Sequence, residues 1–360
     1  MVVNTRLVLV GGFLGAGKTT LLINAAKTLV AMGHRVGIVT NDQADDLVDT
    51  ALARQCDIPV TEVAGGCFCC RFPDLLVSIE RLQEMVDPDI VLAEAVGSCT
   101  DLVSTVLRPL HAYYPDRYLL APLTVLSDPF RDSDSFPTEV GYIHERQLSE
   151  ANLIAISKKD LLNTATTQRR LIELQRRYPA AHVLALSGRT GEGLPQWLDI
   201  CVRQSAIIDS VLDMDYETYA RGEACLGWLN AKGRLSAPVP FSSTEWVTGI
   251  LHAIQDECRA QNAPIAHVKI HVVAGEQALK ASLIQLEGPV SWDLGPSNKT
   301  TTAAAFVLNA RVNAAPEVLE TLVRRALAQT GAGLEVRLEL TDLSCFSPAP
   351  PRPIHRLLSL

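Results

Sequence analysis

Two short clusters in this chain have residue types and spacings that suit chemistry. Residues 12–19 read Gly-Phe-Leu-Gly-Ala-Gly-Lys-Thr, which matches the pattern G-x-x-x-x-G-K-[ST] at every specified position. Residues 65–70 read Gly-Gly-Cys-Phe-Cys-Cys. The first pattern is typical of a loop that holds phosphates, and three closely spaced thiols suit a transition metal. Together they predict a nucleotide-binding protein that handles a metal ion.

The segments around the glycine-rich loop are those that a phosphate site needs. Residues 6–10 form an apolar run typical of a buried strand, and residues 19–30 carry apolar residues at helical spacing. Glycines let successive backbone N–H groups point at one anion, and the helix adds the positive end of its dipole. We expect Lys18 to reach the β- and γ-phosphates and the Thr19 hydroxyl to bind Mg²⁺. The predicted phosphate-binding residues are Gly12, Gly15, Ala16, Gly17, Lys18, Thr19 and Thr20.

A further strand, predicted at residues 90–93, ends in an acid followed by a glycine. Ligands of open α/β sheets lie beyond the carboxyl ends of the strands, so Glu94 and Gly97 would face the phosphates. We expect Glu94 to hold Mg²⁺ and Gly97 to sense the γ-phosphate. The predicted catalytic residues are Lys18, Thr19, Glu94 and Gly97.

Two later strand ends carry residues that can choose the base. Residues 153–156 predict a strand, and residues 157–160 after it read Ser-Lys-Lys-Asp, similar to the [NST]-K-x-D element of GTP-binding proteins. The Asp160 carboxylate would accept from N1–H and the exocyclic amine of guanine, whereas adenine offers neither donor. The strand predicted at residues 182–186 leads to a Ser-Gly loop of the kind that closes over guanine. The predicted base-binding residues are Ser157, Lys158, Asp160 and Ser187.

The cysteine cluster lies between the predicted strands at residues 35–40 and 90–93. The paired glycines permit a turn that brings the sulfurs of Cys67, Cys69 and Cys70 together, and three thiolates leave one position open on Zn²⁺ or a similar ion. Buried inert cysteines, a redox pair and a packing turn are the alternatives. The candidate fourth ligands are Asp42, Asp45, Asp46 and Cys99, with Asp42 the one we assign to the metal.

Length and composition limit the remaining possibilities. A chain of 360 residues with 48% apolar residues predicts two domains with real cores. The net charge of −8 and the lack of a basic run argue against a nucleic-acid partner. No apolar run approaches the length of a membrane span, and no secretory leader is recognisable, so we expect a cytoplasmic protein with no membrane partner.

The expected fold is α/β: a P-loop domain with a mainly parallel sheet, followed by a smaller α+β domain. The first domain is predicted to cover residues 1–205 and the second residues 206–345, where strands and helices alternate. Residues 346–360 form a proline-rich tail that we expect to lie extended over a surface.

With these motifs the chain resembles the CobW-like GTPases, relatives of the UreG and HypB metallochaperones. The resemblance covers about the first two hundred residues. It implies that Cys67, Cys69 and Cys70 bind Zn²⁺ or a related metal, and that hydrolysis of GTP to GDP and phosphate is coupled to metal delivery. Two departures stand out: residues 41–44 read Asn-Asp-Gln-Ala where the family usually has N-E-F-G, and residues 94–97 read Glu-Ala-Val-Gly where it usually has E-T-T-G.

We therefore expect a Mg²⁺-dependent GTPase that acts as a metallochaperone for zinc or a related metal. Its partner would be a client metalloprotein, or an enzyme that receives a metallocofactor such as cobalamin, and a homodimer is left open. The alternatives are a P-loop kinase acting on a small molecule and a non-enzymatic, GTP-controlled module that grips a client.

Overall fold

A computed structural model describes residues 5–41, 58–131 and 135–359. The chain divides into two compact units, the first formed by Met1–Phe130, Gly141–Tyr219 and Pro351–Leu360 and the second by Arg131–Val140 and Ala220–Pro350. The domain boundaries expected at residues 205 and 345 separate parts that would fold independently. A division into compact units does not test this, so these boundaries stay a prediction.

The chain up to Ala224 alternates strands and helices. Its elements are β1 (Thr5–Gly12), α1 (Lys18–Ala31), β2 (Val36–Asn41), β3 (Val60–Val63), α2 (Phe72–Val86), β4 (Ile90–Glu94), α3 (Arg108–Tyr113), β5 (Tyr118–Leu120), β6 (Thr124–Ser127), α4 (Thr138–Ser149), β7 (Leu153–Ile156), α5 (Thr164–Arg177), β8 (His182–Ala185), α6 (Leu194–Arg203) and α7 (Tyr216–Ala224). A π-helical turn at Val103–Leu107 leads into α3, and a 3₁₀ turn at Lys159–Leu161 follows β7.

The first sheet has the strand order β3-β2-β4-β1-β6-β7-β8, with β5 also paired to β1. Every pairing among the described strands of this sheet is parallel, which confirms the predicted fold class. The strands β1, β2 and β4 are buried on both faces, as continuous apolar runs require. All carboxyl ends therefore meet at one edge, where the phosphate loop, Glu94 and the cysteine turn come together.

The second unit is built on an antiparallel sheet with a helical layer. It contains β9 (Gly227–Ser242), α8 (Ser243–Ala260), β10 (Ile265–Ala274), β11 (Gln277–Leu283), β12 (Ser291–Leu294), β13 (Thr300–Val312), α9 (Pro316–Gly333) and β14 (Arg337–Phe346). The strand order is β12-β11-β10-β13-β9-β14, and Trp246 of α8 packs against Phe306 of β13 in the core. The expected α+β class is confirmed.

Four strands, β3, β5, β9 and β12, were not expected from the sequence. The strand β3 is short and only half-buried, so its four residues give a weak pattern. The strand β9 contains Gly233, Pro238 and Pro240, which read as loop residues. Gly233 is needed there, because a Cβ would lie 2.6 Å from the Phe306 ring and from the Glu339 carbonyl oxygen.

Among the helices of the described ranges, none combines the length and the apolar character that crossing a membrane demands.

Candidate nucleotide and metal site

The phosphate loop connects β1 to α1 in a conformation that needs glycine. Gly12 has φ 125° and a Cβ there would lie 2.6 Å from the carbonyl oxygen of Leu126. Gly17 adopts the left-handed region with φ 93° where α1 begins. The Lys18 ammonium is buried and donates to the carbonyl oxygens of Gly12 (2.8 Å) and Phe13 (3.4 Å). The loop thus encloses the lysine, and its turned backbone fits a phosphate cradle.

The oxygens expected to hold Mg²⁺ lie side by side. Because β1 and β4 are parallel neighbours, Thr19 at the start of α1 meets Glu94 at the end of β4. The Thr19 hydroxyl donates to Glu94 Oε1 over 3.1 Å, and both residues are buried. Adjacent ligands of an octahedral Mg²⁺ lie about 3 Å apart, because each Mg–O distance is about 2.1 Å. The pair therefore fits the ion that the sequence predicts.

Gly97 packs directly against the phosphate loop. A Cβ at this position would lie 2.6 Å from Leu14 Cδ2 and 3.0 Å from Leu14 Cα. Since Leu14 is itself part of the loop, only glycine lets the segment after β4 approach this closely. The predicted sensor and the predicted cradle are in contact.

The base-reading segments follow β7 and β8 and are tied to each other. Lys159 N donates to the carbonyl oxygen of Leu186 (3.1 Å), and the Lys158 ammonium pairs with Asp128 (2.8 Å) at the end of β6. Asp160 is exposed, as a residue that reads a ligand edge must be. Ser157 Oγ donates to the carbonyl oxygen of Ser127.

Ser187 organises the loop after β8. Its Oγ accepts from the backbone N–H groups of Arg189 (3.2 Å) and Thr190 (3.0 Å). The next residue, Gly188, accepts from Asn24 Nδ2 of α1, and a Cβ there would lie 2.9 Å from Leu21 N. This loop is thereby anchored to the helix that follows the phosphate loop.

Asn41, at the end of β2, shapes the cysteine turn. Its Nδ2 donates to the carbonyl oxygens of Val63 (2.9 Å) and Gly66 (2.7 Å), and its Oδ1 accepts from Phe68 N (3.0 Å). Gly65 and Gly66 have φ 75° and 154°, conformations that favour glycine. Asn41 therefore fixes the position of the turn relative to the sheet.

The sulfur atoms of this turn converge with one more. Cys67 Sγ lies 2.8 Å from Cys69 Sγ and 3.4 Å from Cys70 Sγ, and Cys69 Sγ lies 3.8 Å from Cys70 Sγ. Cys99 Sγ is 3.9 Å from Cys69 Sγ. Since a Zn–S bond is about 2.3 Å, tetrahedral sulfur ligands lie about 3.8 Å apart. Asp42, predicted as a ligand, lies outside the described residues.

Hydrogen bonds from the other three cysteines, ahead of burial, raise the pKa of the Cys69 thiol well above its ordinary value. Without a metal, Cys69 therefore retains its proton, and an incoming ion has to displace it. Three of the four side chains are buried and Cys70 is partly exposed. The donor set fits a borderline-soft ion such as Zn²⁺.

The segment between Gly97 and Val103 is braced by α4 and the residue after it. Gln147 Nε2 donates to the carbonyl oxygens of Gly97 and Cys99, each over 2.9 Å. Glu150 accepts from the Thr100 hydroxyl (3.0 Å) and from Val103 N (3.2 Å). The polar groups of this buried segment are thus held by two side chains.

The C-terminal residues lie along the cysteine turn. Ile354 N donates to the carbonyl oxygen of Cys69 (2.9 Å), and Arg352 N donates to Cys70 Sγ (3.1 Å). The ring of His355 packs edge-on against Phe72 at 5.1 Å. We call residues 351–359 the C-terminal strap.

The strap also reaches the segment after Gly97. Arg356 pairs with the buried Asp101 over 2.9 Å, and Tyr216 donates to the same carboxylate oxygen over 2.7 Å. Leu357 N donates to the carbonyl oxygen of Ser104 (2.9 Å). The strap therefore joins the cysteine turn to the segment that follows β4.

The protein-family model of the CobW/HypB/UreG nucleotide-binding domain matches residues 6–184 of this sequence. Through this domain the chain belongs to the CobW/HypB/UreG family. The matched range begins in β1 and ends in β8, so it contains the phosphate loop, the cysteine turn and Asp160, whereas Ser187 and the strap lie beyond it.

Two curated relatives and one solved structure are among the proteins to which this chain is similar. The zinc chaperone CobW of Pseudomonas aeruginosa is 28% identical over 235 residues, which cover 56% of this chain and 61% of the relative. The zinc chaperone YjiA of Escherichia coli is 24% identical over 180 residues, 48% of this chain and 55% of that protein. The chain thus spans less than two thirds of either relative. The structure of HypB from Helicobacter pylori in complex with nickel has 16% identity and a TM-score of 0.40, covering 54% of this chain and 86% of that one.

The sequence did not indicate the residues that position the candidate nucleotide and metal site of this family member. Three of these residues form hydrogen bonds to partners 30 to 50 positions away in the sequence, and no local pattern encodes such contacts. They are Asp128, Gln147 and Glu150. The sequence placed Asn41 only in a motif that departs from the family pattern, and Arg356 only within the range of the proline-rich tail. A polar residue at a strand end, as Asn41 and Asp128 are, was the available signal.

We predict that Glu150 makes stability depend on pH. Burial, followed by the charge of Asp101, raises the pKa of Glu150 from 4.5 to about 8. Because the folded protein holds this proton more tightly than the unfolded chain, stability is full below about pH 4.5 and declines up to about pH 8. Glu150→Gln keeps one donor and one acceptor in place of the neutral acid, so its stability relative to wild type should rise over that range.

The measurement is urea unfolding of both proteins at several pH values. The limiting slope of the difference is about 1.4 kcal/mol per pH unit. Glu173→Gln, at an exposed position in α5, serves as the control and should give a curve parallel to wild type. Parallel curves for Glu150→Gln as well would contradict the prediction.

We also predict that the ion pair of Arg356 keeps the strap closed over Cys70. Replacing Arg356 by Ala leaves Asp101 without its cationic partner and should raise the alkylation rate of Cys70 roughly tenfold, since a charge-assisted hydrogen bond contributes about 1.5 kcal/mol or more. Site-resolved mass spectrometry measures the rate. Arg352→Ala is the matched control, because Arg352 donates to Cys70 from its backbone N–H, which alanine keeps. Equal rates for both variants would show that the strap does not shield the thiol.

Proposed function

We propose that this chain is a Mg²⁺-dependent GTPase that couples the GTP cycle to the binding and delivery of zinc or a related transition metal. One observation carries the proposal: Cys69 of the cysteine turn lies 3.9 Å, sulfur to sulfur, from Cys99, which follows the segment of Glu94 and Gly97. The cargo site and the phosphate site thus share one loop. The zinc-chaperone relatives support the same function.

The residues around the phosphates have distinct roles in this proposal. The backbone of the loop and the Lys18 ammonium bind the β- and γ-phosphates, and Gly97 donates its N–H to the γ-phosphate. Thr19 and Glu94 would hold Mg²⁺, which supplies positive charge to the phosphates when bound. The attacking nucleophile is water. After hydrolysis, loss of the γ-phosphate contact releases the segment that begins at Gly97.

Guanine is the proposed base, with Asp160 as the residue that selects it. The exposed carboxylate follows β7 beside the loop of Ser187, and the pairing of Lys158 with Asp128 holds the segment in place. Lys158 and Ser157 complete the base site. An adenine in this position would leave the carboxylate without its donors.

We predict that Asp160→Asn abolishes the preference for guanine. The variant should bind a non-hydrolysable GTP analogue at least about a hundredfold more weakly, because a site built around a hydrogen-bonded group discriminates by about 10⁴ or more. Fluorescent-nucleotide titration with GTP and ATP analogues measures the ratio of affinities. Asp199→Asn, on the exposed face of α6, is the control. An unchanged ratio in Asp160→Asn would rule out this carboxylate as the base reader.

The cargo partners are proposed from the cysteine cluster. A client metalloprotein would receive the ion, or a cofactor-dependent enzyme would receive a metallocofactor, in the cytoplasm. Cys67, Cys69 and Cys70 bind the ion, and partly exposed Cys70 is the point of access. The second unit, predicted to be a domain of its own, is available to contact the client. A homodimer is compatible with this function.

The test of the function is the affinity for Zn²⁺ with GDP and with a non-hydrolysable GTP analogue. Coupling between the sites should change the zinc affinity by about 5- to 150-fold between the two nucleotides. Lys18→Ala, which removes the phosphate contact, should bind Zn²⁺ with one affinity in both conditions. Cys69→Ser should lose the ion.

Three results would overturn the proposal. Equal zinc affinities in the wild type would remove the coupling. Phosphate transfer only in the presence of a small-molecule acceptor would identify a kinase. Unchanged turnover and client binding in Cys69→Ser would identify a GTP-controlled binding module in which the cysteines are structural.

A further inference from the structure

Cys99 and Cys201 are buried cysteines of the first unit that lie outside the cysteine turn, and their surroundings differ. Cys201 is fully buried, and its sulfur lies 3.9 Å from the Thr124 hydroxyl. Cys99, in contrast, has its sulfur 3.9 Å from Cys69 Sγ, and the sulfurs of Cys67, Cys69 and Cys99 all lie within 4.8 Å of one another. A buried thiol that only fills space does not need to meet two others.

The 3.9 Å between Cys69 Sγ and Cys99 Sγ matches the spacing that a metal requires of a ligand from a second loop. Tetrahedral sulfur ligands lie about 3.8 Å apart around Zn²⁺. Cys69 Sγ has neighbouring sulfurs at 2.8, 3.8 and 3.9 Å, the last of them from Cys99. Cys70 Sγ, by comparison, already accepts from Arg352 N and is partly exposed.

We propose that Cys99 is a metal ligand, so that an ion bound by Cys67 and Cys69 is also held by the segment that carries Gly97. This inference rests on the proposed function and adds to it the route by which the nucleotide acts on the metal. Cys99 is two residues beyond Gly97, and Gln147 Nε2 binds the carbonyl oxygens of both. A displacement of Gly97 on loss of the γ-phosphate therefore moves a ligand of the ion.

The alternative source of coupling is the strap, which contacts Cys69, Cys70 and Asp101. In that case the cysteine turn would bind the ion alone and the strap would transmit the nucleotide state. The two routes differ in the number of sulfur ligands, because only the first adds one from outside residues 65–70.

X-ray absorption spectroscopy of the Zn²⁺-loaded full chain counts those ligands. Cys70→Ser leaves Cys67, Cys69 and Cys99, so we expect three sulfurs, whereas two sulfurs would overturn the proposal. This variant changes the partly exposed position, so its fold does not depend on filling a buried site. Cys99→Ser should have one sulfur fewer than the wild type, and an unchanged number would also overturn it.

Affinity measurements complete the test. Cys99→Ser should bind Zn²⁺ at least about tenfold more weakly, since even residues that only support a ligand contribute about 10- to 100-fold. Its zinc affinities with GDP and with the GTP analogue should become equal. Cys201→Ser, an equally buried cysteine of the same unit, should retain the affinity and coupling of the wild type.

The outcomes distinguish a failure of the proposed function from a failure of the ligand role of Cys99. A wild type that binds no Zn²⁺ contradicts both the proposed function and the role of Cys99. A wild type with nucleotide-dependent zinc binding that Cys99→Ser leaves intact supports the function and refutes this ligand.

Discussion

The parallel pairing of β1 with β4 is the constraint on which both parts of the candidate site depend. The register places Val10 opposite Glu94, so the end of β4 lies beside the phosphate loop. From there the chain has to continue across Leu14, which it can do only because residue 97 is glycine. Two residues later the same segment places Cys99 against the cysteine turn. In the proposed function, a short piece of backbone thus serves the phosphates at one end and the sulfurs at the other.

The surrounding interactions restrain that segment from several directions. Gln147 and Glu150 bind its backbone, and Arg356 of the C-terminal strap pairs with Asp101 within it. Asp101 has φ 64°, in the left-handed region that is costly for a residue other than glycine. The ion pair of Arg356 and the hydrogen bond of Tyr216 hold this residue in place. Such a restrained segment suits a switch that moves between two positions rather than a flexible loop.

Local signals in the sequence were sufficient for most strands of the first sheet and for the two motifs. The apolar run of β1, the helical spacing of α1 and the acid at the end of β4 predicted both the fold and the meeting of Thr19 with Glu94. The strand β9 was missed because Gly233 and two prolines read as loop residues, although packing against Phe306 favours glycine there. The strap could not be predicted, since Arg356 and Asp101 are 255 residues apart. Cys99 was only one of four candidates for the fourth metal ligand. The fold, and not the spacing in the sequence, brings its sulfur close to the cysteine turn.

The central claim, that nucleotide and metal act on each other through one segment, has a reciprocal consequence. If the nucleotide changes the affinity for Zn²⁺ by some factor, saturating Zn²⁺ must change the affinity for the same nucleotide equally. The decisive measurement is therefore the Kd of the non-hydrolysable GTP analogue, relative to that of GDP, with and without saturating Zn²⁺. The account predicts that this ratio shifts by the factor seen for zinc. An identical ratio in the two conditions would contradict it.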